Sequence, residues 1–588
     1  MNATATQMDL RTAIGTATVL GRDSDVAKAR EAFRQRKLRR CVIMLLVVVV
    51  YLLVRAYLGH PVGPSSFIPT INWENPLLPG IFLTLVIGLS MGTPILLSGR
   101  SPHTLFRSED LGVRLADVVG ADSVKDEVVR SLNLFLANET FAKEMGGTPR
   151  RGLLFSGTPG TGKTYIAKAM AGSAGVPFVF VSATAFQSMF YGATARKIRS
   201  YFRALRKIAR QEGGAIGFIE EFDAIGLSRS GVGSGRGEGA SGVVNELLVQ
   251  MQSFDEPTLG SRFVLWCIER VNSWLPDTLR IKRPTRTSPN IILIAATNRA
   301  ADLDPALLRA GRFDRTITFD LPIRRERAQI AEYYLNRKSH DVSVTSDDIA
   351  QQTSGFSPVE IEQLLDEALV CALRRGRRVM SAADVTEANM VISVGIARDG
   401  EYTTGERWRV AVHEAGHGIA SLLLGHDVGL VSILKRASAL GVTTHTTAEE
   451  IHMHTRAELE ARIQIALAGL VAEELECGEM SSGASSDLSS ATITACQMIG
   501  ALGMGESLLS LDAAQSMFSG NLVDKVLADA ASRAAANQLL AEAKAHVHSL
   551  LAARRAPLRK AAQALLDRDE ITGMQLTQIL AGATMLTD

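Results

Sequence analysis

Long and short runs of apolar residues divide this chain into regions of different predicted structure. Near the N-terminus, the stretches Cys41 to Leu58 and Leu77 to Leu97 are almost wholly apolar. Each has close to the ~20 residues that a helix needs to cross a bilayer. Short apolar runs typical of buried strands begin at Arg151, Ala215 and Asn290. The pattern therefore predicts a multidomain chain with two transmembrane helices, an α/β domain and further helical regions.

The charges around the apolar runs indicate their orientation. Basic residues crowd the segment Arg34 to Arg40 before the first run, whereas His60 to Pro76 between the runs carries no Lys or Arg. Because basic residues are enriched in cytoplasmic segments, both chain ends are expected in the cytoplasm. Residues 1–33 are weakly patterned, so we expect them to form a mobile tail. They also lack an organelle-targeting signature, so we expect the chain to reside in the bacterial inner membrane.

Overall charge and cysteine content narrow the function classes. The 63 Lys and Arg residues nearly balance the 61 Asp and Glu residues, so no strong overall field attracts nucleic acid, and no nucleic-acid partner is expected. The five cysteines are scattered singly, without a C-x-x-C pair. This spacing argues against a disulfide framework and against a zinc ribbon. It is typical of a protein whose bulk lies in a reducing compartment.

A phosphate-binding loop follows the first short apolar run. It matches G-x-x-x-x-G-K-[ST] with the consecutive residues Gly157, Thr158, Pro159, Gly160, Thr161, Gly162, Lys163 and Thr164. Glycines let backbone N–H groups surround phosphates at a helix N-terminus, Lys163 meets the β- and γ-phosphate charge, and the Thr164 hydroxyl can bind Mg²⁺. The motif predicts that the α/β domain binds ATP and Mg²⁺.

Polar residues end the next two predicted strands. Glu220 and Glu221 follow the apolar run that begins at Ala215, and Asn298 follows the run that begins at Asn290. In an open parallel sheet the ligand site lies at the carboxyl ends of the strands. We expect Glu220 to serve the metal, Glu221 to polarise the attacking water, and Asn298 to orient that water.

A second chemistry is carried by His413-Glu414-Ala-Gly-His417, an H-E-x-x-H motif on a predicted helix. A spacing of four places both imidazoles on one helical face, where they can bind Zn²⁺, with Glu414 beside them as general base. Zinc needs a third protein ligand. His445, His452 and His454 fall in a polar loop, and we interpret them as solvated histidines and not as a second metal site.

Several further segments resemble the FtsH family of membrane-anchored, ATP-dependent AAA+ zinc metalloproteases. Leu307 to Arg315 is similar to the family's second region of homology, and the resemblance implies that Arg312 and Arg315 act as arginine fingers on a neighbouring subunit's nucleotide. A ring, usually a homo-hexamer, is implied with them. Phe186 to Gly192 resembles the pore loop, with Phe190 gripping the substrate, although from the residues alone Phe190 is more readily interpreted as a core residue.

The peptidase region carries the same resemblance. Met480 to Thr492 is similar to the segment whose Asp is the third zinc ligand, which implies that role for Asp487; from the residues alone, a helix cap is the alternative. Leu440 to Thr444 resembles the edge strand that contacts extended substrate. Ala468 to Glu474 resembles a third short signature, in which Glu473 supports the zinc ligands. The similarity runs from about Leu115 to about Ala583.

Three features depart from the family pattern. The external loop is too short for a folded domain, and residues 255–289 form an insertion where relatives have a tight link. Its tryptophans Trp266 and Trp274 suggest a surface protrusion. Glu220 stands where the family usually has Asp, and its extra methylene must still reach the Mg²⁺ of the nucleotide.

The residues and the resemblance together predict a membrane-bound ATP-dependent zinc metalloprotease that unfolds and degrades membrane and cytoplasmic proteins. The alternative is a membrane-tethered AAA+ remodelling or adaptor protein with weakened ATPase or peptidase activity. The predicted organisation is a tail at 1–40, transmembrane helices at 41–58 and 77–97 around a loop at 59–76, a linker at 98–112, an ATPase domain at 113–322, an all-α lid at 323–397 and a mainly α-helical peptidase domain at 398–588.

Overall fold

The computed structural model describes residues 25–58, 101–147, 151–187, 193–226, 237–252, 259–274, 289–396, 402–436, 440–445, 453–505, 507–513 and 521–584. The chain divides into two compact units. The first is Met1–Pro322 with Ser357–Val359, and the second is Ile323–Phe356 with Glu360–Asp588.

The first unit is built on a six-stranded sheet. Its strands are β1 (Thr104–Phe106), β2 (Gly152–Gly157), β3 (Phe178–Ser182), β4 (Ala215–Glu220), β5 (Ile291–Thr297) and β6 (Arg315–Phe319). They lie in the order β1-β3-β4-β5-β2-β6, and every neighbouring pair is parallel except β1 with β3. Residues 98–112, expected as a linker, thus supply an edge strand.

The described part of the first unit contains eight α-helices, and several of them cover the two faces of this sheet. They are α1 (Asp25–Tyr57), α2 (Asp122–Leu136), α3 (Asn138–Lys143), α4 (Lys163–Ala174), α5 (Ala193–Glu212), α6 (Asp223–Gly226), α7 (Gly237–Gln252) and α8 (Leu259–Asn272). Alternate residues of β2 and β5 enter two separate cores, Phe155 and Ile294 in one and Leu154 and Leu293 in the other. Because both faces are buried, the strands are continuously apolar in sequence.

The N-terminal helix α1 begins within the segment expected to be a mobile tail, and it contacts α3 and α5 of the first unit. Val26 is buried in the core that includes Phe135. The Arg30 side chain donates to the Glu212 and Gly175 carbonyls at 3.0 and 2.5 Å. Farther along, the apolar side chains from Val42 to Val54 are exposed. Among the helices of the described residues, none has the length and hydropathy of a membrane span; the second apolar run, 77–97, lies outside them.

The insertion contributes α8, whose last turns are described with their side chains. Trp266 in this helix and Trp274, two residues beyond its end, are both exposed. This exposure agrees with the expectation of a surface protrusion.

The second unit opens with four helices, as the pattern after Pro322 predicts. They are α9 (Arg324–Leu335), α10 (Ser346–Gln352), α11 (Pro358–Arg374) and α12 (Ala382–Ser393). Buried apolar residues at helical spacing, such as Ile361, Leu365 and Ala368 of α11, form their shared core.

The remainder of the second unit is mainly helical with a small sheet. Its elements are α13 (Thr404–Leu423), β7 (Val428–Ser432), β8 (Val442–His445), α14 (Arg456–Cys477), α15 (Ser485–Gly500), α16 (Leu522–Ala528), α17 (Ala530–Ala552), α18 (Arg555–Arg568), β9 (Glu570–Thr572) and α19 (Gly573–Thr584). The strands lie in the order β8-β7-β9, antiparallel throughout.

The helices α13 and α14 carry most of the peptidase residues and lie in close contact. Thr403 and Thr455 cap their N-termini, and each accepts from a backbone N–H three residues on. A Cβ on Gly416 of α13 would lie 2.6 Å from the Ala472 Cβ of α14. The crossing therefore requires a glycine, and it fixes the distance between the two helices.

Candidate functional site

The residues of the H-E-x-x-H motif meet a distant aspartate inside the second unit. His413 and His417 lie on one face of α13 and are buried. Asp487, in the first turn of α15, lies 3.0 Å from His413 Nε2 and 3.4 Å from His417 Nε2. Among the described residues, these three form the one group whose ligand atoms all lie within 4.8 Å of one another. The geometry therefore favours the metal-ligand interpretation of Asp487 over a helix cap.

The outer nitrogens of both imidazoles are held by acceptors. His413 Nδ1 lies 2.7 Å from Glu473 Oε1, and His417 Nδ1 lies 2.8 Å from the Ile465 carbonyl oxygen. Each Nδ1 therefore carries the proton, and each Nε2 presents a lone pair. Glu473 is the residue that the family resemblance singled out as support for the zinc ligands.

The two Nε2 atoms face each other, so a cation between them would accept both lone pairs. His413 Nε2 and His417 Nε2 are 3.0 Å apart, near the roughly 3.3–3.4 Å expected for two nitrogens on a tetrahedral Zn²⁺. Burial lowers the pKa of His413, but its hydrogen bonds with Asp487 and Glu473 raise that pKa to about 9. The site thus favours positive charge, and two imidazoles with a carboxylate are a donor set that suits zinc.

A glycine of α14 makes room for the first histidine. A Cβ on Gly469 would lie 2.4 Å from His413 Nε2 and 2.5 Å from its Cε1. No other residue type fits at this position without moving the imidazole. The sequence places this glycine in the third signature, but its role was not foreseen there.

The expected general base lies next to the ligands and against β8. Glu414 is buried, and its burial raises the pKa of its carboxyl above the ordinary value. The Thr443 hydroxyl donates to Glu414 Oε2 at 2.9 Å. A buried carboxyl with a raised pKa suits a group that first accepts a proton and then donates it.

Of the three histidines interpreted as solvated and not as a second metal site, only His454 is described with its side chain. His454 lies 3.7 Å from Glu458 at the start of α14. The side chain of His445 and the whole of His452 lie outside what the structure describes. The His454 side chain is 27% exposed, which is compatible with the interpretation as a solvated residue.

The nucleotide residues converge at the carboxyl edge of the first unit's sheet. Lys163 begins α4 directly after the phosphate-binding loop, in which Gly160 and Gly162 have the left-handed φ values of +79° and +88°. Its Nζ donates to Asn298 Oδ1 at 2.9 Å, and the Thr164 hydroxyl donates to Glu220 Oε1 at 2.6 Å. The structure therefore brings together the loop and the two strand ends that the sequence singled out.

The second carboxylate of the pair has an unusual backbone. Glu221 follows β4 with a left-handed φ of +53°, which is uncommon for a residue with a side chain. The Ser182 hydroxyl donates to its Oε2 at 3.2 Å. The two carboxylates thus have different partners, since Glu221 accepts from Ser182 at the end of β3 and Glu220 accepts from Thr164.

The two arginines of the second region of homology make bonds within their own chain. Arg312 donates to the Ala306 carbonyl at 2.5 Å, and Arg315 pairs with Glu127 at the same distance. Phe190 lies outside the described residues. No local pattern marks Glu127 as a partner of Arg315, because the two residues are 188 positions apart in the chain.

Three family models match successive parts of the chain. The ATPase family associated with various cellular activities (AAA) matches residues 153–321, the AAA+ lid domain matches 343–387, and peptidase family M41 matches 401–579. The first range contains the nucleotide residues, and the third contains the two histidines and the aspartate.

Curated relatives cover both sites at once. An ATP-dependent zinc metalloprotease FtsH 1 of Symbiobacterium thermophilum is 35% identical over 528 residues, 89% of this chain and 82% of that protein. FtsH 1 of Sorangium cellulosum is 35% identical over 490 residues, 81% of this chain and 73% of that protein. FtsH of Aquifex aeolicus is 33% identical over 467 residues, which are 77% of this chain and 68% of that protein. The chain therefore belongs to the FtsH family of ATP-dependent zinc metalloproteases.

Proposed function

We propose that this chain is anchored in a bacterial inner membrane, assembles as a homo-hexamer, and uses ATP hydrolysis to unfold membrane and cytoplasmic proteins and pass them into a zinc peptidase chamber. The observation that carries the proposal is the presence in one chain of two assembled sites. One joins Lys163, Glu220 and Asn298; the other joins His413, His417 and Asp487.

Membrane anchoring is supported by the two apolar runs at 41–58 and 77–97 and by the basic segment before them. The exposed apolar side chains of α1 beyond Cys41 add to this, since a continuous apolar surface is unfavourable in water. In this arrangement both termini and both catalytic domains are cytoplasmic, and the bilayer is the lipid partner.

In the ATPase site, bound Mg²⁺ would neutralise phosphate charge as the γ-phosphate is transferred to water. The residues of the chain orient that reaction. Lys163 and the backbone of the loop bind the phosphates, Thr164 and Glu220 hold the metal, Glu221 polarises the water, and Asn298 orients it. Burial lowers the pKa of Lys163, and the charges of Glu220 and Asp223 oppose this shift.

In the peptidase site His413, His417 and Asp487 would hold Zn²⁺, which when bound supplies Lewis-acid polarisation of the scissile carbonyl and of water. Glu414 removes a proton from the attacking water as the water oxygen bonds to the carbonyl carbon. It then passes that proton to the amine as the carbon–nitrogen bond breaks. Glu473 and Ile465 keep the imidazoles in the required tautomers.

Ring assembly is supported by the arginines and by the pore-loop resemblance. Arg312 and Arg315 would reach the nucleotide of a neighbouring subunit, for which each must exchange its present bond to Ala306 or Glu127. Phe190 would grip an extended substrate in the central channel. The alternative, a membrane-tethered AAA+ remodelling or adaptor protein with weakened ATPase or peptidase activity, is not favoured, because both catalytic family models match and the relatives are named as ATP-dependent zinc metalloproteases.

The test is degradation of a stably folded reporter by the full chain in lipid vesicles. We expect cleavage that requires ATP and Mg²⁺, stops with a zinc chelator, and returns when zinc is added back. A particle mass of six chains should accompany activity. Cleavage of the folded reporter at full rate without ATP would contradict the proposal.

A further inference from the structure

The strand β8 contacts the general base directly. The Thr443 hydroxyl donates to Glu414 Oε2 at 2.9 Å. One carboxylate oxygen of Glu414 is therefore fixed by a residue of the neighbouring strand.

A glycine two residues earlier brings the strand this close. A Cβ on Gly441 would lie 2.6 Å from Glu414 Cγ and 2.7 Å from its Oε1. A side chain at this position would displace either the strand or the carboxylate. The strand and the base are thus in van der Waals contact, and movement of one moves the other.

Residues 440–445, which contain Gly441 and β8, are hydrogen-bonded at their start to the residue that precedes the N-cap of α13, the helix that carries the base. The Tyr402 hydroxyl donates to the Leu440 carbonyl at 2.6 Å, and Tyr402 directly precedes Thr403, the N-cap of α13. Burial and the nearby Glu414 charge raise the pKa of Tyr402, so its hydroxyl stays protonated and remains a donor. The segment is held at both ends, by Tyr402 at Leu440 and by β7 pairing further on.

We propose that Thr443 is a positioning residue for Glu414 and that Tyr402 fixes the segment that carries it. This inference rests on the proposed peptidase function and adds the means by which its base is aligned. The strand β8 lies at the edge of the three-stranded sheet. An extended substrate pairing with this edge would therefore order the same segment that orients the base.

The consequence for catalysis follows from the geometry of a carboxylate. With Oε2 bonded to Thr443, rotation of the Glu414 carboxyl group is restricted, and proton transfer requires such alignment. Losing the hydroxyl should slow the chemical step without weakening substrate binding. The loss should lower kcat and kcat/KM together and leave KM nearly unchanged.

The chain offers a matched control on the same strand. The Thr444 hydroxyl lies 2.9 Å from the Leu430 nitrogen and so bonds to β7, away from the base. Thr443→Val and Thr444→Val each remove one hydroxyl, at adjacent positions, with little change in side-chain volume. Only the first removes the bond to Glu414, and Thr443→Ser keeps it.

The experiment measures kcat and KM for a short unstructured peptide with the full chain, together with zinc content and ATP hydrolysis. Thr443→Val should lower kcat about 10- to 100-fold, because mutation of residues that orient a site's ligands and catalytic groups commonly has an effect of this size. Thr443→Ser should stay within about threefold of the parent, whereas Thr444→Val, which lies on the predicted substrate-contacting edge but does not bond to Glu414, should change KM and not kcat. Tyr402→Phe should lower kcat to a smaller extent, and zinc content should not change in any variant.

Glu414→Gln separates failure of this inference from failure of the proposed function. Cleavage that survives in Glu414→Gln would remove the proposed function itself. Suppose instead that Glu414→Gln is inactive. The positioning role is then wrong, while the peptidase assignment stands, if Thr443→Val keeps the parental kcat or raises only KM. The same conclusion follows if Thr443→Ser or Thr444→Val loses as much kcat as Thr443→Val.

Discussion

Gly469→Ala tests the peptidase geometry with a single methyl group. The new Cβ would lie 2.4 Å from His413 Nε2, whereas ordinary contact begins at 3.4 Å. Either the imidazole or α14 must therefore move by about 1 Å, and cores absorb such shifts poorly. Zinc sites tolerate ligand displacements of only about 0.2 Å. The methyl group should thus break the coordination of His413.

We expect the zinc dissociation constant to rise by at least about 10- to 100-fold, with a matching loss of peptide cleavage. ATP hydrolysis should stay near the parent value, since the nucleotide residues belong to the other unit. Helix propensity acts in the opposite direction, because replacing Gly by Ala within a helix alone stabilises it by about 1 kcal/mol. Loss of function would therefore report the steric effect.

The assay is zinc stoichiometry at buffered free zinc, together with peptide cleavage and ATPase rate. Gly405→Ala is the matched control, because Gly405 lies in the first turn of α13 and a Cβ there meets nothing within 4 Å. It should behave as the parent. Full zinc occupancy and parental cleavage in Gly469→Ala would refute the reasoning.

Three further changes probe other parts of the account. Asp487→Ala should lower zinc content with ATPase retained, and metal analysis showing unchanged stoichiometry would return Asp487 to the role of a helix cap. Glu220→Asp should raise the ATPase kcat with little effect on nucleotide affinity, because Mg²⁺ demands near-ideal geometry; a steady-state rate no faster than the parent would mean that the site is built around Glu220. Phe190→Ala should spare cleavage of short peptides but remove ATP-dependent degradation of a folded reporter, and equal degradation by both forms would exclude a pore-loop role.

The parts of the sites that could be predicted from sequence are those whose residues are close together in the chain. The phosphate-binding loop and the H-E-x-x-H motif depend on local spacing, so their helical contexts followed from the pattern alone. Glu220 and Asn298 could be placed because parallel strands end at one edge. Asp487 lies 74 residues from His413, so only the resemblance to a family identified it.

The rest depends on tertiary contacts that no periodicity encodes. Thr443 and Gly469 acquire their roles because β8 and α14 contact α13, and their own segments do not indicate it. The strand β1 and the docking of Val26 were not predicted, since three residues and one buried turn are too short to produce a pattern. The strand β9 was missed within sequence that is otherwise helical.

The central claim is that one chain carries two separate catalytic sites, an ATPase and a zinc peptidase, that act on one substrate. The most direct measurement compares Glu414→Gln with Glu221→Gln in three assays: short-peptide cleavage, ATP hydrolysis and degradation of a folded reporter. Glu414→Gln should lose peptide cleavage and keep ATPase, Glu221→Gln should do the reverse, and both should fail to degrade the folded reporter. Peptide cleavage that survives in Glu414→Gln, or folded-reporter degradation that survives in Glu221→Gln, would contradict the account.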